Sequence, residues 1–266
     1  MSLKKFSLLC LITFVITSCK NESNTTVVNT TTKLDTTKVS NLSNSQKIIA
    51  KTIAAHGGKL YNTAHYSFNF RGDTYIFKNE GNEYEYKKIY DKAEFTITDA
   101  LKNGTFSRTI NNNAINLTDE QAAKEINNLN SVIYFATLPH KLSDKAVNSK
   151  YIESTTIKNK PYHVIEVTFN KNGGGEDYED IFYYWINTST NKIDYLAYSY
   201  KVNKGGIRFR SAYNSRVIDG ITFQDYINYK AEVGTHLKDL PKLYEANKLE
   251  EVSRIQTKNI FNLNNQ

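Results

Sequence analysis

Residues 207–231 read IRFRSAYNSRVIDGITFQDYINYKA, two alternating runs on either side of Asp219-Gly220. An Asp-Gly pair between strand-like runs is a strong hairpin signal, because both turn positions need a positive φ that Asp and Gly tolerate. Ile207–Val217 is therefore expected to pair antiparallel with Ile221–Ala231. In the first run Arg208, Arg210 and Arg216 share one parity, while Ile207, Phe209 and Tyr213 take the other. Two readings stay open: a solvated arginine face backing an apolar inner face, or arginines placed near a bound anionic head group, which guanidinium groups hold bidentately.

The period of two continues upstream. Ile181–Ile186 and Ile193–Tyr200 flank the turn at 187–191, and Ile152–Ile157 and His163–Phe169 flank Lys158-Asn159-Lys160. Nearer the N-terminus, Tyr66, Phe68 and Phe70 alternate with Ser67 and Asn69, and the pattern resumes through Tyr84, Tyr86, Tyr90 and Phe95-Thr96-Ile97. Turn signals at Arg71-Gly72-Asp73, Asn79–Asn82 and Lys102-Asn103-Gly104 divide this stretch into four or five meandering strands. A last strand is expected over Val252–Ile260. With only three Pro in the chain, long strands meet few interruptions.

Two segments carry helical period instead. Ser43 and Gln46 form a capping box before Ile48, Ile49, Ile53 and Ala54, with Gly57-Gly58 as the stop. Thr118 and Gln121 form a second box before Ala122, Ile126, Leu129 and Ile133, a helix that must end before Pro139. A short helix is expected around Leu240–Leu249. The fold class is thus mainly β (α+β). About eleven antiparallel strands curl by their own twist into an incomplete barrel, whose concave face the helices cover.

Composition bounds the rest. At 266 residues with 12% aromatic content the chain is not a solvated polar polymer, and two Cys do not make a disulfide scaffold. Lys4 and Lys5, the apolar run Phe6–Ile16 and the ending Ile16-Thr17-Ser18-Cys19 read as a secretory leader. That ending resembles the bacterial lipoprotein box, which implies cleavage before Cys19 and its lipidation. Residues 1–18 are then the signal, 19–43 a lipidated Cys and an Asn/Thr/Ser-rich tether, and 44–266 one folded domain. Loss of Lys4 and Lys5 leaves 32 basic against 27 acidic residues, and loss of Cys10 leaves one Cys and no disulfide.

Ile53–Gly58 entering the first strand, Tyr134–Leu142 around Leu138-Pro139, and Tyr213–Tyr229 around Val217–Phe223 resemble the LolA/LolB-like lipoprotein-carrier superfamily. More narrowly they resemble an uncharacterised family of Bacteroidota lipoproteins. The resemblance spans roughly Gln46–Lys230. It implies a curved half-barrel with helices across its mouth that holds a lipid or other apolar or amphiphilic molecule.

Candidate residues are few. His56, at the end of the first helix, either caps the helix dipole and its last carbonyls or touches a ligand. His163 shares a strand face with Ile165, Val167 and Phe169, as a core histidine or a cavity one. Phe68, Phe70, Arg208 and Arg210 complete the expected ligand-binding set. The acidic run Glu176, Asp177, Glu179, Asp180 reads as a hairpin tip, since it lacks EF-hand spacing. The five His show no zinc spacing, and no nucleophile motif stands out, so neither metal, cofactor nor catalytic residue is expected. No basic stripe points to nucleic acid. The expected protein is a monomeric, non-enzymatic lipoprotein, lipid-anchored at the bacterial outer membrane and facing the periplasm or the surface. The alternatives are a scaffold lipoprotein without a cavity, or a hydrolase using His56 or His163.

Overall fold

The computed structural model describes residues 42–171, 179–201 and 205–265. The leader at 1–18, Cys19 and the tether up to residue 41 lie outside the described residues, as do Glu176 and Asp177.

The first helix, α1 (Asn44–His56), starts from the expected capping box: Ser43 Oγ accepts from the Gln46 amide and Gln46 Oε1 accepts from the Ser43 amide. A 3₁₀ turn, Gly58–Thr63, leads into six meandering strands. These are β1 (His65–Phe70), β2 (Asp73–Glu80), β3 (Glu83–Lys92), β4 (Phe95–Lys102), β5 (Thr105–Ile110) and β6 (Asn113–Ile115). Helix α2 (Asp119–Ala136) follows, opened by the Thr118/Gln121 box and closed three residues before Pro139. After a 3₁₀ turn at His140–Ser143 come β7 (Val147–Ile157), β8 (Lys160–Phe169), β9 (Ile181–Asn187), β10 (Ile193–Tyr200), β11 (Gly206–Ile218) and β12 (Ile221–Ala231). The short helix α3 (Leu240–Glu245) precedes β13 (Glu250–Ile255) and β14 (Lys258–Asn262). The hairpin turns carry the expected positive φ, 46° and 86° at Asp219-Gly220 and 47° and 61° at Lys158-Asn159.

The strands form two seven-stranded antiparallel sheets, ordered β14-β1-β2-β3-β4-β5-β6 and β13-β12-β11-β10-β9-β8-β7, neither closed into a barrel. This is the expected open curved sheet with helices, although among the described residues fourteen strands replace about eleven. Two strands come from the end of the chain. Residues expected as one strand over 252–260 break near Gln256-Thr257, so that β13 pairs with β12 while β14 pairs with β1. One broken strand thus stitches the sheets together. Arg216, Asp225 and Thr257 hold the break: Asp225 Oδ1 accepts from Arg216 Nη2 at 3.1 Å and from the Thr257 amide at 3.0 Å.

Three apolar clusters fill the fold. Leu129 and Ile133 of α2 pack on the first sheet with Tyr66, Phe68, Phe77 and Leu101. Ile48 and Ile49 of α1 pack on one face of the second sheet with Ile165, Tyr184, Ile193 and Leu196. The opposite face of that sheet is also covered, since Trp185, Tyr195, Ile207 and Phe209 lie under Leu237, Leu240 and Tyr244. This corrects the parity reading of β11. Ile207 and Phe209 face the segment around α3, and Arg208 and Arg210 lie on the same face as α1. The register irregularity between Tyr213 and Arg216 turns Arg216 to the opposite face beside Asp225, so the solvated outer arginine face does not exist.

Gly57 shows why α1 ends where it does. Its φ is +134°, and a Cβ there would lie 3.1 Å from Ile221 Cγ1 and 3.2 Å from the Gly220 carbonyl oxygen. Helix end and hairpin tip meet at backbone distance. Gly57→Ala is expected to cost about 1–3 kcal/mol from the backbone strain, read as a drop in midpoint in urea denaturation. An unchanged midpoint would show that this junction gives way freely.

Candidate functional site

The described residues offer two features, a groove beside α1 and a cationic aromatic face on β10–β12. The groove has a volume of about 500 Å³ and lies among α1, the turn at 140–143 and the start of β7. Ile49, Ile53, Leu142 and Val147 line it, with Lys59 and His140 among its polar groups. It exists because α1 turns Ile48, Thr52 and His56 into the sheet while Ala50 and Ala54, too small to fill the space, stay exposed. Ser45 Oγ donates to the Ser149 carbonyl at 3.0 Å and ties the helix to β7. His140 stacks on Tyr61 with ring centroids 4.7 Å apart and planes 9° from parallel. Burial, aided by Lys141, pushes the His140 imidazole down to about 4, so it is neutral near pH 7. Burial likewise raises the Tyr61 hydroxyl, which has no hydrogen-bond partner among the described residues.

The residues expected from sequence are spread across the fold. Phe68 is 1% exposed and stacks on Tyr75 inside the first core, which leaves it no face for a ligand. Phe70 lies at the edge of that core with the Arg71 guanidinium 5.1 Å over its ring. His56 is fully buried, with Nδ1 2.9 Å from the Thr52 carbonyl and Nε2 3.0 Å from Gln224 Oε1. Both ring nitrogens lie beside carbonyl oxygens inside the structure, of which a neutral imidazole donates to one, and burial lowers its pKa. His163 shares the inner face with Ile165, packs edge-on to Tyr151 at 5.9 Å, and keeps Nδ1 buried without a partner. Arg208 lies 5.2 Å over the Tyr200 ring, and Arg210, 7% exposed, 3.8 Å over the Phe135 ring. Of the expected set, Arg208 and Arg210 share one strand face, and Phe68 and Phe70 both pack on Tyr75 in the first core, while His56 and His163 lie apart from both pairs.

The groove itself was not legible in the sequence. His140 and Lys59 sit in irregular segments without period, and only the contact between Tyr61 and His140, 79 positions apart, makes them one site. Among the described residues no group of three or more His, Cys, Asp or Glu is placed to hold a metal.

A model described as "Family of unknown function (DUF6503)" matches residues 4–257. The chain belongs to DUF6503. No curated protein matches this DUF6503 chain. Among solved structures it is similar to a LolA superfamily protein from Nitrosomonas europaea, at 11% identity and a TM-score of 0.48, covering 82% of this chain and 93% of that one. It is similar to a DUF1329 family protein from Desulfovibrio piger, at 10% identity and a TM-score of 0.47, covering 82% and 92%. It is also similar to the Mycobacterium tuberculosis lipoprotein LppX, at 12% identity and a TM-score of 0.28, covering 60% and 91%.

Proposed function

We propose that this DUF6503 chain is an envelope lipoprotein, anchored through an acylated Cys19 at the outer membrane, that holds an apolar or amphiphilic molecule on its concave side without chemical turnover. The observation that carries this reading is the groove beside α1. Its 500 Å³ is in the range of small-molecule sites, and Ile49, Ile53, Leu142 and Val147 give it aliphatic walls between polar groups near both ends of α1. Burying an acyl chain there gains roughly 25 cal/mol for each Å² of apolar surface removed from water. The family match from residue 4 onward supports treating the leader and Cys19 as part of the same protein.

The test is native mass spectrometry of the chain from residue 19 with Cys19→Ser, incubated with fatty acids and phospholipids. One bound lipid per chain is expected, and none when Ala50→Trp fills the groove from the exposed side of α1. Absence of any bound lipid in the parent protein would end the proposal.

A further inference from the structure

The second feature, on β10–β12, contains an unmet charge. Arg210 is 7% exposed on the inner face of β11, and its guanidinium carries five N–H donors. Nη2 donates to the Tyr198 hydroxyl at 2.9 Å, while Nε is buried with no partner. Among the described residues no carboxylate pairs with it, whereas Arg108 and Arg216 each have a buried aspartate, Asp99 and Asp225. Directly across the ladder, Arg210 is registered opposite Asn228 of β12, so the two side chains leave the same face within about 5 Å at Cβ. Asn228 Nδ2 donates to Ser253 Oγ at 3.3 Å, and its Oδ1 is buried and unpartnered. An orphaned cationic donor and an orphaned acceptor thus sit side by side.

Such a pair is costly unless something satisfies it, since a buried polar group without a partner forfeits its hydration. The surroundings favour an anion. Arg208 and Lys230 form the next pair in register toward the strand ends, where Lys230 and Tyr200 are less covered than Arg210. The rings of Phe135 and Tyr198 lie 3.8 Å and 5.2 Å from the guanidinium, and the Arg210 charge opposes the rise that burial imposes on the Tyr226 hydroxyl.

We propose that Arg210 and Asn228 form an oxyanion site on the face of the second sheet that also carries α1, separate from the groove beside that helix. A phosphate monoester or carboxylate would accept from Arg210 Nε and Nη, and a hydroxyl on that ligand would donate to Asn228 Oδ1. The site does not depend on the groove binding a lipid. The same chemistry is met by the head group of an anionic amphiphile and by a free oxyanion.

The experiment titrates the chain from residue 19, with Cys19→Ser, with dodecyl phosphate, dodecanol and inorganic phosphate by calorimetry. Dodecyl phosphate is expected to bind at least tenfold tighter than dodecanol, and Arg210→Met to erase that difference while dodecanol binding is kept. If inorganic phosphate binds as tightly as dodecyl phosphate and is lost in Arg210→Met, the site stands as one for a free oxyanion. Asn228→Asp supplies the missing carboxylate from within, so it should raise Tm and reduce phosphate binding at least tenfold. Neither variant removes an apolar contact that holds the sheet, and circular dichroism confirms that each has folded. Anion binding that survives both substitutions, or no anion binding in the parent, overturns the proposal. Loss of dodecanol binding alone would count against the groove and leave this site intact.

Discussion

Asp225→Ala is expected to lower the unfolding free energy by about 3–5 kcal/mol, the range found when one partner of a buried ion pair is removed. The Asp225 side chain is 2% exposed and accepts from four donors: Arg216 Nη2, Asn214 Nδ2 at 2.7 Å, the Thr257 amide and Thr257 Oγ1 at 3.3 Å. Arg216 Nη2 also donates to the Thr257 carbonyl and to its Oγ1. The alanine variant would leave the Thr257 amide unpaired at the break between β13 and β14. Both strands would loosen, and with them the edges of β12 and β1. In thermal unfolding the loss corresponds to roughly 10 °C. Asp225→Asn keeps acceptors without the charge and should fall between the two. A change below about 1 kcal/mol for the alanine variant would mean that backbone pairing alone holds the sheets together.

A second large effect is expected from pH. Burial lowers both His140 and His56, the former to about 4, so the folded chain holds them neutral where the unfolded chain protonates them at its ordinary 6.5. The sign follows from proton counting. Below 6.5 the unfolded state binds more protons, so stability is complete above that value and falls as the pH drops toward 4. His140 alone accounts for about 2 kcal/mol at pH 5, and His56 adds in the same direction. The Tm is expected to fall by roughly 4–8 °C between pH 7 and pH 5, a window above the ordinary carboxylate range. His140→Phe keeps a ring against Tyr61 and should flatten much of that slope. Melting temperatures that do not move from pH 7 to pH 5 would contradict the buried, neutral state of these imidazoles.

Much of the fold was legible because its signals are local. The capping boxes at Ser43 and Thr118, the helix stop at Gly57 and the Asp219-Gly220 turn are each decided by residues within a few positions. The inner and outer faces were not. Parity groups Arg208 with Arg210 and Ile207 with Phe209, but which group meets solvent depends on what covers the sheet, and here both faces are covered. The segment that buries Phe209, Leu237 to Tyr244, is short and weakly periodic, so nothing in it announces a third layer. The break at Gln256-Thr257 was hidden for a similar reason. Its cause is Asp225, about thirty positions away, which takes the Thr257 amide out of the ladder. The candidate site lay further out of reach, since its walls come from a helix, two irregular turns and a strand edge.

The divided last strand sets an order of events for the growing chain. Until residues 250–262 exist, β1 and β12 each present a bare edge. Pairing Tyr66 with Asn262 closes a loop of nearly the whole domain, which makes the final step non-local and slow relative to the hairpins. A chain emerging from its N-terminus therefore carries two unpaired strand edges until its last residues arrive, although Phe223 of β12 packs on Tyr66 and Phe77 of the first sheet without them. A ribosome stalled or a protease cutting before residue 250 would release a species with two sticky edges, so aggregation should be greatest just short of completion.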